Sequence, residues 1–363
     1  MPETIRKYFT CANSCKGFVN FFPSNLAGME RIYILKGGPG TGKSTLMYKI
    51  GQYFAEKDER VEHIYCSSDT GSLDGVILCS RKTAIVDGTA PHVIEPQAPG
   101  AVEEYVNLGE AWNAGKLRPH KAEILAVKDE IAQRYDVVYR MMQEAKAVHD
   151  DWERIYIENI DYEKLDAIAG TLCSKLLDGV RCNGNGRWVD RFFGAATPDG
   201  SVNYIENLTE GLGKRYFIKG RPGTGKSTML KKLAKQACSK GLDAEVYHCS
   251  FDPDSLDMVI LRELGVCVFD STAPHELFPT AASDEIIDLY KSAVRPGTDE
   301  VHADELTAFA AKYGGLMQRA MAAMGEIKQL HDALEKYYID AVNFHSIDKI
   351  TKKLIQKIRS EES

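Results

Sequence analysis

The sequence has no long apolar segment and no excess of basic residues. No stretch approaches the ~18 consecutive apolar residues that a membrane-spanning helix requires, and the first residues lack the apolar run of a signal peptide. The formal net charge of −7 over 363 residues argues against nucleic acid as a ligand. We therefore expect a cytoplasmic protein whose partners include neither membranes nor nucleic acid.

The nine cysteines lack a recognisable pattern. Their number is odd, none forms a CxxC pair, and Cys11 and Cys15 have no second pair or histidine cluster that would complete a zinc site. These absences argue against a disulfide framework and against the common structural zinc sites. Reduced thiols in a cytoplasmic protein of ordinary globular composition, with 44% hydrophobic and 27% charged residues, are expected instead.

An internal repeat covers the chain. Residues 33–92 align with residues 216–275 without a gap, and close to half of the paired residues are identical. Weaker matches extend the repeat in both directions, so the sequence is a tandem duplication. The boundary lies near residues 183–187, a Gly/Asn-rich stretch typical of a turn. The two expected domains are residues 1–186 and 187–363.

Each half has the same order of apolar runs. A strand is expected just before a glycine-rich phrase, and another apolar strand ends at Asp87 or Asp270. Segments that start at Ile5 and Val189 are candidates for one more strand in each half. Alternation of these strands with helices predicts an α/β fold, with a parallel sheet covered by helices on both faces.

The helices expected in each half differ in length. One follows the glycine-rich phrase, and a short one is expected from Ser72 or Ser255. No further strong strand is predicted after His92 or His275. Long helical stretches cover about 120–159 and 303–342, and a shorter helix follows each of them. We expect each pair to form a helical hairpin appended to its own domain, within about 115–180 and 300–360.

The glycine-rich phrase of each half meets the pattern G-x-x-x-x-G-K-[ST]. Glycines let backbone N–H groups converge where Cβ atoms would clash, and the helix that follows directs its positive dipole end to the same point. The lysine is expected to reach the β- and γ-phosphates of a nucleotide, and the serine after it is expected to bind Mg²⁺. The residues expected to bind the nucleotide are Gly37, Gly40, Thr41, Gly42, Lys43, Ser44 and Thr45 in the first half and Gly220, Gly223, Thr224, Gly225, Lys226, Ser227 and Thr228 in the second.

These loops give each half a resemblance to the P-loop NTPase superfamily. The resemblance covers the expected sheet portion of both halves, and the wording G-x-P-G-T-G-K-S-T is closest to that of AAA-type ATPases. The duplicated chain resembles a bacterial family of tandem P-loop proteins of the ATPase or nucleotide-kinase-like type. The resemblance implies two tandem P-loop NTPase domains with ATP and Mg²⁺ as ligands.

Asp87 and Asp270 match the acidic element of such a site. Each ends an apolar strand, which is the Walker B pattern, and each is expected to hold Mg²⁺ directly or through water, together with Ser44 or Ser227. A capping role at the strand end is the alternative. The absence of an NKxD motif favours ATP over GTP.

The sequence departs from the AAA pattern directly after this aspartate. Gly88 and Ser271 stand where those ATPases have the glutamate that orients water, so another acid has to act. Asp69 and Asp252 directly follow the second strand, at the carboxyl edge of the sheet where ligands bind. We expect them to orient the attacking water or an acceptor hydroxyl. The alternative is that they cap the short helix.

Two further pairs of residues recur in both halves. Asp74 and Asp257 are expected in the first turn of the short helix, where they favour the helix dipole and point away from the phosphates. His92 and His275 either sense the γ-phosphate and stabilise transferred charge, or make structural hydrogen bonds. The catalytic candidates in each half are therefore the loop lysine, the acid after the second strand and this histidine.

Three functions remain open on this sequence. The leading one is ATP hydrolysis coupled to a conformational change, with the helical hairpins reporting the nucleotide state to a protein partner. A small-molecule kinase, for example for nucleosides, is the second, although the segment after His92 is acidic and lacks the basic lid that clamps donor phosphates. A non-catalytic nucleotide sensor or scaffold is the third. Arg221 replaces Gly38 in the second loop and is either a phosphate-contacting cation or a solvated loop residue.

Overall fold

The computed structural model describes residues 5–182 and 184–360, so Asn183 in the expected boundary lies outside the described residues. Both halves have the same order of strands, and the second half has one more short α-helix after its last strand. The strands of the first half are β1 (Ile5–Tyr8), β2 (Cys11–Ser14), β3 (Gly17–Asn20), β4 (Arg31–Lys36), β5 (Val61–Tyr65), β6 (Leu73–Leu78), β7 (Thr83–Asp87) and β8 (Glu103–Asn107). Its helices are α1 (Phe22–Leu26), α2 (Lys43–Ala55), α3 (Ala114–Leu117), α4 (Lys121–Ile157) and α5 (Tyr162–Leu177).

The second half repeats this series. Its strands are β9 (Trp188–Arg191), β10 (Gly194–Thr197), β11 (Gly200–Asn203), β12 (Lys214–Lys219), β13 (Ala244–His248), β14 (Leu256–Leu261), β15 (Val266–Asp270) and β16 (Glu285–Asp288). Its helices are α6 (Ile205–Thr209), α7 (Lys226–Ser239), α8 (Leu289–Ala293), α9 (Thr298–Val301), α10 (Ala303–Ile339) and α11 (Phe344–Ser360). The chain therefore has an α/β fold with two similar sheet domains.

Each half contains one six-stranded mixed sheet. The strand orders are β1-β5-β6-β7-β4-β8 and β9-β13-β14-β15-β12-β16. β6 and β14 run antiparallel to both of their neighbours, and the other pairs are parallel. The expected all-parallel sheet is therefore wrong at one strand in each half. The strands expected from Ile5 and Val189 are confirmed, and they form the edges β1 and β9.

Two other sequence expectations are corrected here. The short helix expected from Ser72 or Ser255 is the antiparallel strand β6 or β14, and all six residues of each strand are buried. Apolar runs as short as these fit a buried strand and a buried helix turn equally well, so periodicity could not separate the two. Each half also has a sixth strand, β8 or β16, in the segment after His92 or His275, where no strand was predicted. It is a half-exposed edge strand, so its sequence has no apolar run.

The two sheets meet at the edges formed by β1 and β9. Phe9 and Phe192 exchange two backbone hydrogen bonds, with N···O distances of 2.9 and 2.8 Å. One buried cluster then continues from the first sheet to the second. Its members from both halves include Tyr8, Phe22, Ile34, Phe193, Phe217 and Tyr247. The halves therefore share a core, although each has a sheet of its own.

The helical hairpins expected within each half do not form. α5, from the first half, packs on α7 of the second, and α11, from the second half, packs on α2 of the first. Leu165 and Leu172 lie in one core cluster with Leu233, while Leu354 lies in another with Ile50. Because the duplicated halves present alike apolar faces on α2 and α7, a terminal helix finds a matching surface on either half, and the sequence does not say which.

The long helices α4 and α10 are confirmed within a few residues of the expected bounds, and they pack mainly on each other. The first part of α4 contacts its own half, where Tyr139 of the helix donates a hydrogen bond to Asn13. Further along, α4 contacts the second half, where Lys146 of the helix pairs with Asp252. α10 runs in the opposite direction, from the second half to the first, and ends near Gly40. The two helices are therefore antiparallel and link the two sheets. In the described part of the chain, no helix is long and apolar enough to cross a bilayer.

Candidate functional site

Each glycine loop connects a sheet strand to the helix that follows it, β4 to α2 and β12 to α7. Gly42 and Gly225 precede these helices with φ of 85° and 86°, a left-handed conformation that disfavours residues with a Cβ atom. Thr41 is buried, and its hydroxyl donates to Gly38 O at 2.7 Å, as Thr224 does to Arg221 O at 2.8 Å. The threonine therefore closes the loop on itself.

The lysine of each loop lies between the loop and the neighbouring strand. Lys43 Nζ donates to Gly37 O at 3.0 Å and to Gly38 O at 2.8 Å, and lies 3.5 Å from Asp87 Oδ2. Lys226 Nζ donates to Arg221 O at 2.8 Å and also lies 3.5 Å from its carboxylate, Asp270 Oδ2. The same cation–carboxylate contact thus occurs in both halves.

Asp87 and Asp270 are held with one carboxylate oxygen toward the lysine. The other oxygen, Oδ1, accepts hydrogen bonds from the backbone N–H and the hydroxyl of the threonine two residues later, at 2.8 and 2.6 Å for Thr89 and at 3.0 and 2.6 Å for Thr272. Asp87 lies beside Leu35 in the parallel register of β7 and β4. This pairing brings the carboxylate to the start of the glycine loop.

The serine and threonine after each lysine lie in the first turn of the helix. Ser44 Oγ accepts a hydrogen bond from Leu73 N–H at 3.0 Å, and Ser227 Oγ accepts one from Leu256 N–H at 2.9 Å. Each hydroxyl keeps its own proton and one lone pair for another partner. Thr45 and Thr228 are exposed at the same turn.

Asp74 and Asp257 do not lie in a helical turn pointing away from the loop, as the sequence predicted. They lie on the buried antiparallel strands, near Asp87 and Asp270 respectively. Burial raises the pKa of Asp74; His92 opposes the rise and Asp87 adds to it. Burial and the nearby Asp270 raise the pKa of Asp257 to about 7. A usable signal in the sequence was an acid inside an apolar run, L-D-x-V-I-L in both halves.

Asp69 and Asp252 lie in the turns after β5 and β13. Asp69 Oδ2 accepts a hydrogen bond from Ser72 Oγ at 2.6 Å, and Asp252 Oδ1 accepts one from Asp254 N–H at 3.2 Å. These bonds shape the turns, and because no helix follows, the helix-cap alternative is removed. Both carboxylates remain partly exposed, with side-chain exposures of 32% and 16%.

The two histidines have different surroundings. His92 is buried, its Nε2 lies 3.4 Å from Asp74 Oδ1, and its ring contacts Phe18 edge-on. His275 packs edge-on against Phe193, and burial lowers its pKa. His92 therefore has the structural partner that one of the two sequence hypotheses required.

Arg221 is an exposed loop residue, but its side chain has fixed partners. Its guanidinium pairs with Asp299 at 3.0 Å and stacks over the ring of Tyr290 at 4.7 Å. Asp299 also accepts a hydrogen bond from the hydroxyl of Tyr156 on α4 at 2.8 Å. The arginine is fixed beside its own loop by residues of α8 and α9.

Sequence reasoning missed the part of each site that comes from the opposite half. Glu335 of α10 accepts a hydrogen bond from Gly40 N–H at 3.1 Å, and Tyr338 lies against Gly38. Glu153 of α4 likewise lies against Gly223, where a Cβ atom would be 2.6 Å from the Glu153 carbonyl oxygen, and burial raises the pKa of this glutamate. Each glycine loop is therefore covered by the long helix of the other half.

Comparisons with models of known protein families, with curated proteins and with solved structures gave no match to this chain. The interpretation of the site therefore depends on the loop geometry and on contacts that occur twice.

Proposed function

We propose that the chain is a P-loop ATPase with one Mg·ATP site in each half. The observation that carries this proposal is the matched 3.5 Å contact of Lys43 with Asp87 and of Lys226 with Asp270 at the end of a glycine loop. A lysine held between loop carbonyls and a strand-end carboxylate is placed to exchange them for phosphate oxygens, which would free the carboxylate to hold a bound cation. Its occurrence in both halves supports two sites.

The oxygen atoms near each loop suit Mg²⁺, which prefers carboxylate and hydroxyl ligands. Ser44 and Asp87 would hold the ion in the first half, and Ser227 and Asp270 in the second. Among the described residues, Asp74 Oδ2 is a buried oxygen without a hydrogen-bond partner, and a nearby cation would offset the cost of burying it. When bound, Mg²⁺ neutralises charge on the β- and γ-phosphates.

The residues divide the chemistry of hydrolysis between them. Water attacks the γ-phosphorus, the bond to the β–γ bridging oxygen breaks, and ADP and inorganic phosphate leave. Asp69 or Asp252 orients the water and accepts its proton. Neither residue after the Walker B aspartate can do so: a Cβ atom at Gly88 would lie 2.2 Å from Ile34, and Ser271 is buried and donates its hydroxyl to Leu277 O at 2.7 Å.

The contact between Glu335 and Gly40 offers a route from nucleotide to conformation. Phosphate oxygens and the Glu335 carboxylate would compete for the same N–H group, because both are anionic acceptors. A bound nucleotide would therefore displace the end of α10, and α10 packs along α4, which contacts the other loop. In this proposal, phosphate binding is coupled to the two long helices.

The direct test is release of inorganic phosphate from ATP by the purified chain, with Mg²⁺ and with a chelator in its place. We expect Mg²⁺-dependent release without any added acceptor. A small-molecule kinase is the second candidate, since an open depression lined by Ser44, Thr45, Tyr48 and Gly71 adjoins the first loop. Consumption of ATP only when a nucleoside from a panel is added would favour the kinase, and binding without turnover would favour a sensor.

Lys43→Ala and Lys226→Ala are each expected to remove one of two ATP-binding sites. Hydrogen bonds to charged groups contribute about 1.5–3 kcal/mol, so loss of the lysine weakens its own site by roughly 10–150-fold. Isothermal titration calorimetry should report two ATP per chain for the parent and one for each variant in the working range. Two sites in either variant, or a single site in the parent, would contradict the assignment.

Asp87→Asn and Asp270→Asn are expected to weaken ATP binding more with Mg²⁺ than without it. The carboxylates would face the metal, whereas the lysine and loop N–H groups would face phosphate. Affinities measured with Mg²⁺ and with chelator give the comparison. Asp58→Asn, in an exposed turn with φ of 60° that asparagine tolerates, is the control. An equal loss under both conditions would indicate a capping role instead.

A further inference from the structure

Both long helices carry the same polar pattern near the opposite half. The pattern is K-x-x-H-D-x-x-E, at residues 146–153 of α4 and 328–335 of α10. Residues seven apart lie on the same side of a helix, two turns or ~10 Å from each other. The lysine and the glutamate of each pattern therefore share a face.

The glutamate shows that this face meets the glycine loop. Glu335 Oε1 lies 3.1 Å from Gly40 N, and the backbone of Glu153 lies against Gly223, where a Cβ atom would be 2.6 Å from Glu153 O. The backbone also comes close, since a Cβ atom built on Gly40 would lie 3.1 Å from Glu335 O. The helix is thus in direct contact with loop N–H groups of the kind that bind phosphate.

The lysine reaches the acid expected to orient water. Lys328 Nζ lies 3.8 Å from Asp69 Oδ1, and Lys146 Nζ lies 3.5 Å from Asp252 Oδ2. The two side chains are 28% and 26% exposed, so each ammonium group is partly shielded from water. The same contact across the halves occurs at both sites.

A second acid orients each lysine from its own helix. Lys328 pairs with Asp332, and Lys146 pairs with Asp150, four residues later in each case. Burial opposes the charge on Lys146, but the hydrogen bond to Asp150 and nearby acids outweigh it, and the pKa of Lys146 is raised. Each lysine is therefore a fixed positive charge between two acids, at the edge of the opposite glycine loop.

We propose that Lys328 binds the terminal phosphate of the nucleotide at the first glycine loop and that Lys146 does so at the second. This inference rests on the function proposed above, and it makes each site composite. During hydrolysis negative charge is carried by the three γ-oxygens, and an ammonium group fixed beside them lowers the barrier. The lysine keeps its proton throughout, while the proton of the attacking water passes to Asp69 or Asp252.

The kinetic test isolates one site at a time in the full chain. The Lys226→Ala background leaves the first loop intact, and the Lys43→Ala background leaves the second. In the first background Lys328→Met is expected to lower kcat about 10²–10³-fold with a smaller change in KM, and Lys328→Arg to restore most of the rate. Lys146→Met is expected to do the same in the second background.

A binding measurement tests the same contact without turnover. Because the lysine contacts the terminal phosphate, Lys328→Met in the Lys226→Ala background should reduce the preference for ATP over ADP about tenfold or more. Lys312→Met, an exposed lysine on the same helix, is the matched control and should change neither the rate nor this preference.

Two results would overturn the inference. One is an unchanged kcat and ATP preference in Lys328→Met, including the case in which only thermal stability falls, which would make the lysine a packing residue. The other is slowing of the Lys43→Ala background by Lys328→Met, which would place the lysine at its own half's loop. Failure of the proposed function is distinguishable, since the two parent backgrounds would then bind no ATP, or bind it without releasing phosphate, before any helix lysine is changed.

Discussion

The double variant Asp69→Asn, Asp252→Asn is expected to turn over ATP ~10²–10⁴-fold more slowly than the parent. Its ATP affinity should stay within a few-fold of that of the parent. Both acids follow a strand at the carboxyl edge of their sheet, both are partly exposed, and both face a lysine from the opposite half. Asparagine keeps the size of the side chain and its capacity to accept a hydrogen bond, but it cannot accept the proton of water. Steady-state phosphate release and calorimetric ATP affinity are the two measurements.

Asp254→Asn provides the control for this variant. Asp254 lies in the same turn as Asp252, is exposed and pairs with Lys16 at the surface, so its replacement should leave turnover intact. Turnover that survives in the double variant would contradict the assignment. It would transfer the role to Asp74 and Asp257, because burial raises the pKa of each carboxyl, and a general base acts best when its pKa lies near the operating pH.

The repeat made the general architecture predictable from the sequence. Two copies of one pattern of apolar runs predicted two similar α/β halves, and the structure contains two sheets with the same strand order. The glycines could be placed because a loop between a strand and a helix needs left-handed φ at positions such as Gly42 and Gly225. These predictions depend on local sequence, which the duplication presents twice.

Features that depend on partners distant in sequence were not predictable. Strands β6 and β14 are bounded by antiparallel neighbours, and a short apolar run does not encode strand direction. The exchange of α5 and α11 was hidden by the duplication itself, because equivalent helices in the two halves offer equivalent surfaces. Lys328 and Glu335 could have been identified as site residues only from the recurrence of the same polar pattern on both long helices.

The junction between the halves includes a buried ion pair. Arg191 on β9 is buried, and its Nη2 donates to Glu62 Oε2 on β5 of the other sheet at 2.9 Å. Its Nε donates to Asn25 Oδ1 at 2.9 Å, and its guanidinium stacks over the ring of Tyr8 at 4.0 Å. Tyr8 in turn donates its hydroxyl to Glu62 at 2.7 Å. Loss of the arginine would leave a carboxylate buried without its main cation.

Arg191→Met is therefore expected to lower the free energy of unfolding by about 3–5 kcal/mol, the usual cost of removing one member of a buried pair. Arg187→Met is the matched control, since Arg187 precedes the same strand and pairs with Asp243 at the exposed surface, where a loss within about 1 kcal/mol is expected. Urea unfolding followed by circular dichroism and by tryptophan fluorescence measures both.

Because the halves share a core and exchange helices, the two probes should report one coincident transition. An Arg191→Met variant as stable as the parent would show that the pair does not stabilise the junction, and separate transitions for the two probes would show that the halves unfold independently.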